Sequence, residues 1–231
     1  MTKHALSIIT PTLNEAKNVE ILAKRIKNAV KDINYEVIIV DDNSPDKTYD
    51  IAKKLDKKYN IRAFKRIKNK GLSSAVVFGF AKARGEIICV IDADLSHPPE
   101  LIPRMFNKIR NENVDLVVAS RLIKGGNVED WPIHRKLLSQ FGILLSLPLS
   151  SVNDRMSGFF MMRKKVIRDV KFVPRGYKIL LEVLVKGDYD SVKEIPYTFR
   201  NRKVGTSKLT IKTNIEYLVQ LLQLYRVKFL R

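Results

Sequence analysis

Residues 87–99, IICVIDADLSHPP, limit the fold more than any other stretch of the chain. Ile87, Ile88, Cys89, Val90 and Ile91 are apolar without alternation, which describes a short strand buried on both faces. Asp92-Ala93-Asp94 ends the run, and Ser96-His97-Pro98-Pro99 forbids its continuation. Two acids two residues apart, at the C-terminal tip of a strand that reads as central, sit where open α/β sheets bind ligands. If the strand breaks between them, both carboxylates reach one cation from the same side. Mg²⁺ and Mn²⁺ take such hard oxygens and complete their shells with water and substrate phosphate. The same residues also suit plain capping, with Asp94 or Ser96 at the start of a helix that follows Pro98-Pro99. The pattern leaves both readings open.

The flanking sequence repeats the theme. Apolar runs at 6–10, 35–40, 61–64 and 115–119 read as strands, and helical periodicity lies between them at 16–30, from 48, at 72–83 and at 99–109. Gly79 permits one of these helices to pack closely. The βαβ succession predicts a mostly parallel sheet covered by helices. Its strand tips carry Asp41 and Asp42, Asp92 and Asp94, and Arg121, which a parallel sheet gathers on one edge. There is no GxxxxGK run and no GxGxxG after a strand. A glycine nest for phosphate is thereby excluded, and a cation on Asp92 and Asp94 is left to do that work. Asp42 is placed to accept hydrogen bonds from a base or ribose.

Beyond residue 120 the pattern is less regular. An uncharged helix occupies about 137–149, 158–162 is short and apolar, and 177–186 is a helix with Glu182 among its apolar residues. Glu182 suits either substrate orientation or a helix pair with a lysine. Pro196 makes the strand at 192–199 an edge strand. A basic loop at 200–208 leads to a last helix that combines basic and apolar residues, suited to a membrane interface or to docking on its own core. No stretch has the length and apolarity of a membrane span.

Composition enters through charge. Among 231 residues, 43 Lys and Arg against 24 Asp and Glu give +19, which calls for an anionic partner: nucleic acid, acidic lipid or phosphorylated substrate. No helix-turn-helix, zinc or RNP signature accompanies it, which argues against nucleic acid. The single Cys89 lies within the apolar strand and reads as a structural thiol in a reducing compartment. Met1-Thr2-Lys3-His4 runs into the first strand without a signal-peptide pattern.

Several segments now fall into one ordered set: PTLNE at 11–15, VDDNSPD at 40–46, KGLSSAV at 70–76, DADLSHPP at 92–99, and Ser120-Arg121. Gly125-Gly126, SGFF at 157–160, GYKILLEVL at 176–184 and the RxxGxSKL spacing at 202–209 continue it. In their order and spacing they resemble family 2 glycosyltransferases of the GT-A fold, and within these the dolichol-phosphate mannose synthases. The resemblance implies an α/β nucleotide-diphospho-sugar transferase fold, with a mostly parallel central sheet flanked by helices. The resemblance runs from Leu6 to about Leu209, which makes 1–209 the catalytic domain; residues 210–231 lie beyond it as a C-terminal amphipathic helix whose basic and apolar residues suit a membrane interface.

The implied reaction is inverting transfer of mannose from GDP-mannose to dolichyl or another polyprenyl phosphate. A UDP-glucose-dependent enzyme of the same fold is the nearest alternative. Pro11, Leu13, Glu15, Val40 and Asp42 are implied to hold the guanosine, with Asp92 completing the nucleotide site. Leu13 departs from the tyrosine usual in the family and removes a stacking ring. Asp92, Asp94 and Ser96 are the implied Mg²⁺ or Mn²⁺ ligands, although a serine hydroxyl is a poorer ligand than the glutamine of some relatives. Arg121, Arg202 and Lys208 are implied to meet the acceptor phosphate and, with Asp94, to carry catalysis. The implied setting is the cytoplasmic face of a membrane, held peripherally, with a small anchoring subunit as a further partner and no nucleic acid.

Overall fold

The strands are the apolar, β-branched runs, and turns rich in Asn, Asp, Gly and Pro separate them from the helices. The computed structural model describes residues 4–129, 133–200 and 211–230. The first half contains β1 (Leu6–Thr12), α1 (Ala16–Ala29), β2 (Tyr35–Asp41), α2 (Thr48–Lys54), α3 (Asp56–Tyr59), β3 (Ile61–Lys65), α4 (Leu72–Lys82), β4 (Ile87–Val90), α5 (Ile102–Asn111) and β5 (Leu116–Ser120). The second half contains β6 (Asn127–Val128), α6 (Ile133–Ser146), β7 (Phe160–Arg163), α7 (Ile179–Lys186), β8 (Val192–Pro196), β9 (Thr198–Phe199) and α8 (Ile211–Phe229).

Seven strands form one sheet in the order β3-β2-β1-β4-β7-β5-β8, with β4 at its centre. β1 runs parallel to β2, from Leu6 opposite Tyr35 to Thr12 opposite Asp41, and parallel to β4 on its other side. The chain therefore moves outward through β2 and β3, then returns across β1 to β4. That reversal opens a crevice at the C-terminal strand ends. It places the tips of β1, β2 and β4 side by side.

β7 departs from the parallel pattern. It lies antiparallel between β4 and β5, with Ile88 opposite Met162 and Val118 opposite Phe160. Phe159 and Met161 enter the layer beneath α1 and α5, whereas Phe160 and Met162 enter the layer beneath α4 and α7. All four are fully buried. A strand apolar on both faces carries no sign of its direction, so its sequence alone did not reveal this insertion. The consequence is functional: β7 starts at the edge where its neighbours end, so Ser157-Gly158 lies between the tips of β4 and β5.

Other expectations are met. A Cβ on Gly79 would lie 2.5 Å from Ile9 Cγ2, so this glycine lets α4 sit directly on β1. Cys89 is buried, and burial pushes its thiol well above the ordinary range, as a structural thiol requires. β8 is an edge strand, and beyond Pro196 the chain leaves the main sheet to pair β9 with β6. A third cluster, including Leu149, Met156, Leu181, Tyr217, Leu221 and Leu224, seats α8 on α7.

Candidate active site

The crevice begins at the tip of β2, where two adjacent aspartates take different tasks. Asp41 is fully buried and accepts bonds from Thr12 Oγ1 at 3.0 Å and from the Ser44 N–H and hydroxyl at 2.9 and 2.5 Å. It ties the loop after β2 to β1. Asp42 turns the other way: Arg66 donates to its Oδ1 through Nε at 2.8 Å and through a second guanidinium nitrogen, while the Gly71 N–H donates to Oδ2 at 2.7 Å. Arg66 also donates to Gly71 O and Ser74 Oγ, each at 3.1 Å. Asp42 thus organises the KGLSS turn at the head of α4, its carboxylate buried and both of its oxygens bonded within the protein. Pro11 is the penultimate residue of β1, beside these groups, and Leu13 follows the strand, half-buried. Glu15 donates its N–H to Thr48 Oγ1 and accepts from Asn18 Nδ2. The Val40 side chain is wholly within the core, so only its main chain meets the edge.

At the centre of the edge, Leu95 adopts φ +63° and bends the chain sharply between Asp94 and Ser96. Asp94 Oδ1 accepts the Ser96 N–H at 3.1 Å and the Ser96 hydroxyl at 2.5 Å. Ser96 therefore orients the Asp94 carboxylate in this arrangement, the kind of support that fixes a metal ligand. The Asp92 side chain is more open, 29% exposed. A Cβ on Gly158 would lie 2.9 Å from Asp92 Oδ2 and 3.2 Å from His97. Glycine at this point keeps the space around Asp92 clear. His97 is buried, stacks on Phe159 at 5.4 Å and meets Tyr197 and Phe199 edge-on. Burial pushes it down to about 4 despite the pull of Asp94, so it is neutral at pH 7. Its Nδ1 accepts the Asp92 N–H at 3.3 Å, which makes it a brace for the DADLS turn.

Two carboxylates at one tip, one held by a hydroxyl and one partly exposed, fit a hard divalent cation whose remaining ligands are water and phosphate. Among the described residues no group of three His, Cys, Asp or Glu side chains converges as a metal cage. The donor set offered is the pair.

Arg121 leaves the tip of β5 and forms a fork with Asp154, through Nε at 2.8 Å and Nη2 at 2.7 Å. The Arg121 N–H adds a third bond at 2.9 Å. Burial opposes the guanidinium charge, but Asp154 outweighs it and raises the pKa. Asp154 is itself fully buried, and Glu194 on β8 accepts the N–H groups of Asn153 and Asp154 at 2.9 and 3.0 Å. Arg121 also faces the Phe199 ring, 5.7 Å from its centroid. A cation is thereby fixed at the edge by a chain of contacts from β8.

Of the residues singled out from sequence, Pro11, Leu13, Glu15, Asp42, Asp92, Asp94, Ser96 and Arg121 share this edge; Arg202 and Lys208 lie outside the described residues. Glu182 takes the helix pair: it is buried and accepts Lys186 Nζ at 2.6 Å and the Val173 N–H at 2.7 Å. Sequence reasoning missed Arg66, Asp154, Glu194 and His97. Arg66 is one cation in a basic connector, and no spacing links position 66 to 42. Asp154 stands in a short polar stretch whose one visible cue is its place just before SGFF.

The comparisons with known proteins agree with this geometry. The profile of glycosyl transferase family 2 matches residues 7–171. A dolichol-phosphate mannosyltransferase of Pyrococcus furiosus is 47% identical over 96% of this chain, and the chain spans 64% of that protein's length. The dolichol-phosphate mannosyltransferase of Saccharomyces cerevisiae is 36% identical over 96% of this chain and 88% of its own. A crystal structure of glucosyl-3-phosphoglycerate synthase from Mycobacterium tuberculosis, in complex with Mn²⁺, UDP-glucose and phosphoglyceric acid, superimposes with a TM-score of 0.70. It covers 97% of this chain and 79% of that one at 18% identity, a likeness of fold. With its reversed sheet, acid-bearing strand tips and inserted antiparallel strand, the chain belongs to glycosyl transferase family 2, has the GT-A fold, and is related to the dolichol-phosphate mannosyltransferases.

Proposed function

We propose that this chain transfers mannose from GDP-mannose to a polyprenyl monophosphate such as dolichyl phosphate, with inversion at the sugar carbon and release of GDP. The observation that carries this reading is the meeting of Asp92 and Asp94 with Arg121 across the start of β7, within one crevice. The names of the relatives support the donor sugar and acceptor class. In this reading Pro11, Leu13, Glu15, Val40 and Asp42 border the nucleoside. Asp92 and Asp94 would hold Mg²⁺ or Mn²⁺, with Ser96 supporting Asp94. A bound divalent ion supplies charge neutralisation at the departing diphosphate. Arg121, with Arg202 and Lys208, meets the acceptor phosphate. That phosphate is already largely dianionic at pH 7, its second pKa being about 6. It needs positioning beside a second anion more than it needs a general base, and a guanidinium locked by Asp154 provides a fixed positive point.

The acceptor brings the site to a bilayer. Among the described residues no helix is long and apolar enough to cross a membrane. α6 and α8 lie together: Tyr217 and Tyr225 donate their hydroxyls to Gly142 O and Leu145 O, each at 2.7 Å. Tyr217, Leu221 and Leu224 face inward, while Ile215, Leu218, Leu222 and Phe229 stay exposed on the outward side. Phe141, Leu144 and Leu147 continue the exposed apolar surface on α6 and the turn after it. A helix pair docked on one face and apolar on the other suits insertion at an interface. In this reading residues 210–231 are its membrane-facing part, on the cytoplasmic leaflet.

A donor screen tests the reading: GDP-mannose, UDP-glucose and UDP-N-acetylglucosamine, each with a short polyprenyl phosphate and Mn²⁺. GDP-mannose alone should give a lipid-linked sugar, and D92N, D94N or a chelator should nearly abolish it in protein that remains folded. Preference for UDP-glucose would move the chain to the glucosyl branch, and full activity in chelator would remove the metal from the mechanism.

A further inference from the structure

At the opposite edge of the sheet, where β4 begins and β7 ends, a cleft of about 770 Å³ opens between α4 and residues 163–172. It stands a strand length from the crevice, on the order of 15 Å. Its apolar wall is formed by Val77, Phe80, Ile167 and Phe172, with the two rings 5.5 Å apart. Five cations line it against one carboxylate, Glu86.

Three of those cations are spoken for. Arg163 Nη2 donates to Ile109 O at 2.6 Å and Asn113 Oδ1 at 2.9 Å. Lys164 Nζ donates to Ala83 O at 2.6 Å, closing the end of α4, and Lys165 pairs with Asp115 at 2.8 Å. Arg84 and Arg168 differ. They come from separate segments, both are exposed, and among the described residues neither guanidinium has a hydrogen-bond or ion-pair partner. Two uncommitted guanidinium groups beside an aromatic wall offer forked donors to an oxyanion and an apolar bed to whatever it is attached to. The cleft also has the volume of a small-molecule site.

We propose that this cleft binds an amphiphilic anion: a phosphate or carboxylate head on Arg84 and Arg168, with an apolar body against Phe80 and Phe172. Such a molecule comes from the bilayer as an acidic lipid or from water as a soluble acyl or aryl phosphate, and the recognition chemistry is the same.

The test uses octyl phosphate below its micellar concentration, followed by calorimetry on the full chain with Mn²⁺ and GDP bound; the acceptor subsite at Arg121 is common to every protein compared, and the cleft is read as the second site per chain. The variant is R84Q/R168Q, two exposed side chains outside the catalytic edge. K53Q/K54Q, on exposed α2, controls for lost charge. Octyl phosphate should bind the wild type and the control alike and bind R84Q/R168Q about tenfold or more weakly, the loss of two charge-assisted contacts. Affinity for GDP should be the same in all three. Equal octyl phosphate binding by R84Q/R168Q overturns the proposal, as does inorganic phosphate binding as tightly as octyl phosphate. Vesicles containing phosphatidic acid identify the source. Weaker vesicle binding by R84Q/R168Q than by K53Q/K54Q supports a bilayer lipid in the cleft, and equal vesicle binding with selective loss of octyl phosphate supports a soluble one.

Discussion

Arg121 illustrates how one residue's role depends on another far along the chain. Its guanidinium is fixed by Asp154, which is fixed in turn by Glu194 through main-chain N–H groups. Asp154→Asn removes the charge and keeps the volume. Breaking one side of a buried pair costs about 3–5 kcal/mol, so D154N should melt lower, lose most of its transfer activity and keep wild-type affinity for GDP. Loss of GDP binding in parallel would assign Arg121 to the donor. Glu36 is a purely structural counterpart. It is buried and accepts Ser7 Oγ, the Arg84 N–H and Arg62 Nη1, each at 2.7 Å. Burial alone would raise its pKa, but these donors overcome burial and hold it below the ordinary glutamate value. A carboxylate with a depressed folded pKa stabilises above its unfolded value and loses that contribution as pH falls through the folded one. E36Q should cost about 2 kcal/mol at pH 7, the scale of hydrogen bonds to a charged group. Urea denaturation of both proteins should show the gap narrowing below the ordinary glutamate pKa and closing in stronger acid.

Among the elements, α8 has the least ordinary pattern because it is apolar on two sides. Its inward stripe is accounted for by α7 and α6, and its outward stripe is not accounted for by any described residue. Replacing Leu222 and Phe141 with Ser changes exposed positions only, so thermal stability should stay within about 0.5 kcal/mol of wild type. Flotation with liposomes should fall, and transfer to a long-chain acceptor in the bilayer should fall with it, while a short water-soluble prenyl phosphate should react as before. Equal loss on both acceptors would place the helix pair in the catalytic unit rather than at the membrane.

For the molecule as a whole, +19 distributed along the chain is a long-range field rather than a site. Near an anionic surface each Lys or Arg contributes about 1 kcal/mol of attraction within a screening length of about 8 Å at physiological salt. Binding to anionic vesicles should therefore weaken steeply from low to high salt in a sedimentation assay. The part that survives high salt should be the part removed by the Leu222 and Phe141 substitutions. Binding that ignores salt would mean that the apolar stripes act alone.

The strands of the first half, the helices over them and the gathering of Asp42, Asp92, Asp94 and Arg121 on one edge were legible in the sequence. These follow from local physics: apolar runs, helical periodicity and the rule that parallel strands share one C-terminal edge. The edge position of β8 was legible too, because proline cannot donate in a ladder. Whatever depends on partners distant in the chain emerged with the three-dimensional packing. β7 inserts against the parallel grain because a doubly buried strand takes its direction from its neighbours, and Gly158 is needed because that insertion brings the main chain close to Asp92. Asp41 and Asp42 are indistinguishable in sequence, yet one braces a loop and the other orients a turn through Arg66. Glu182 is settled as a helix pair by Lys186 one turn away. Asp154 holds Arg121 across 33 residues of chain, a separation at which no local spacing rule operates.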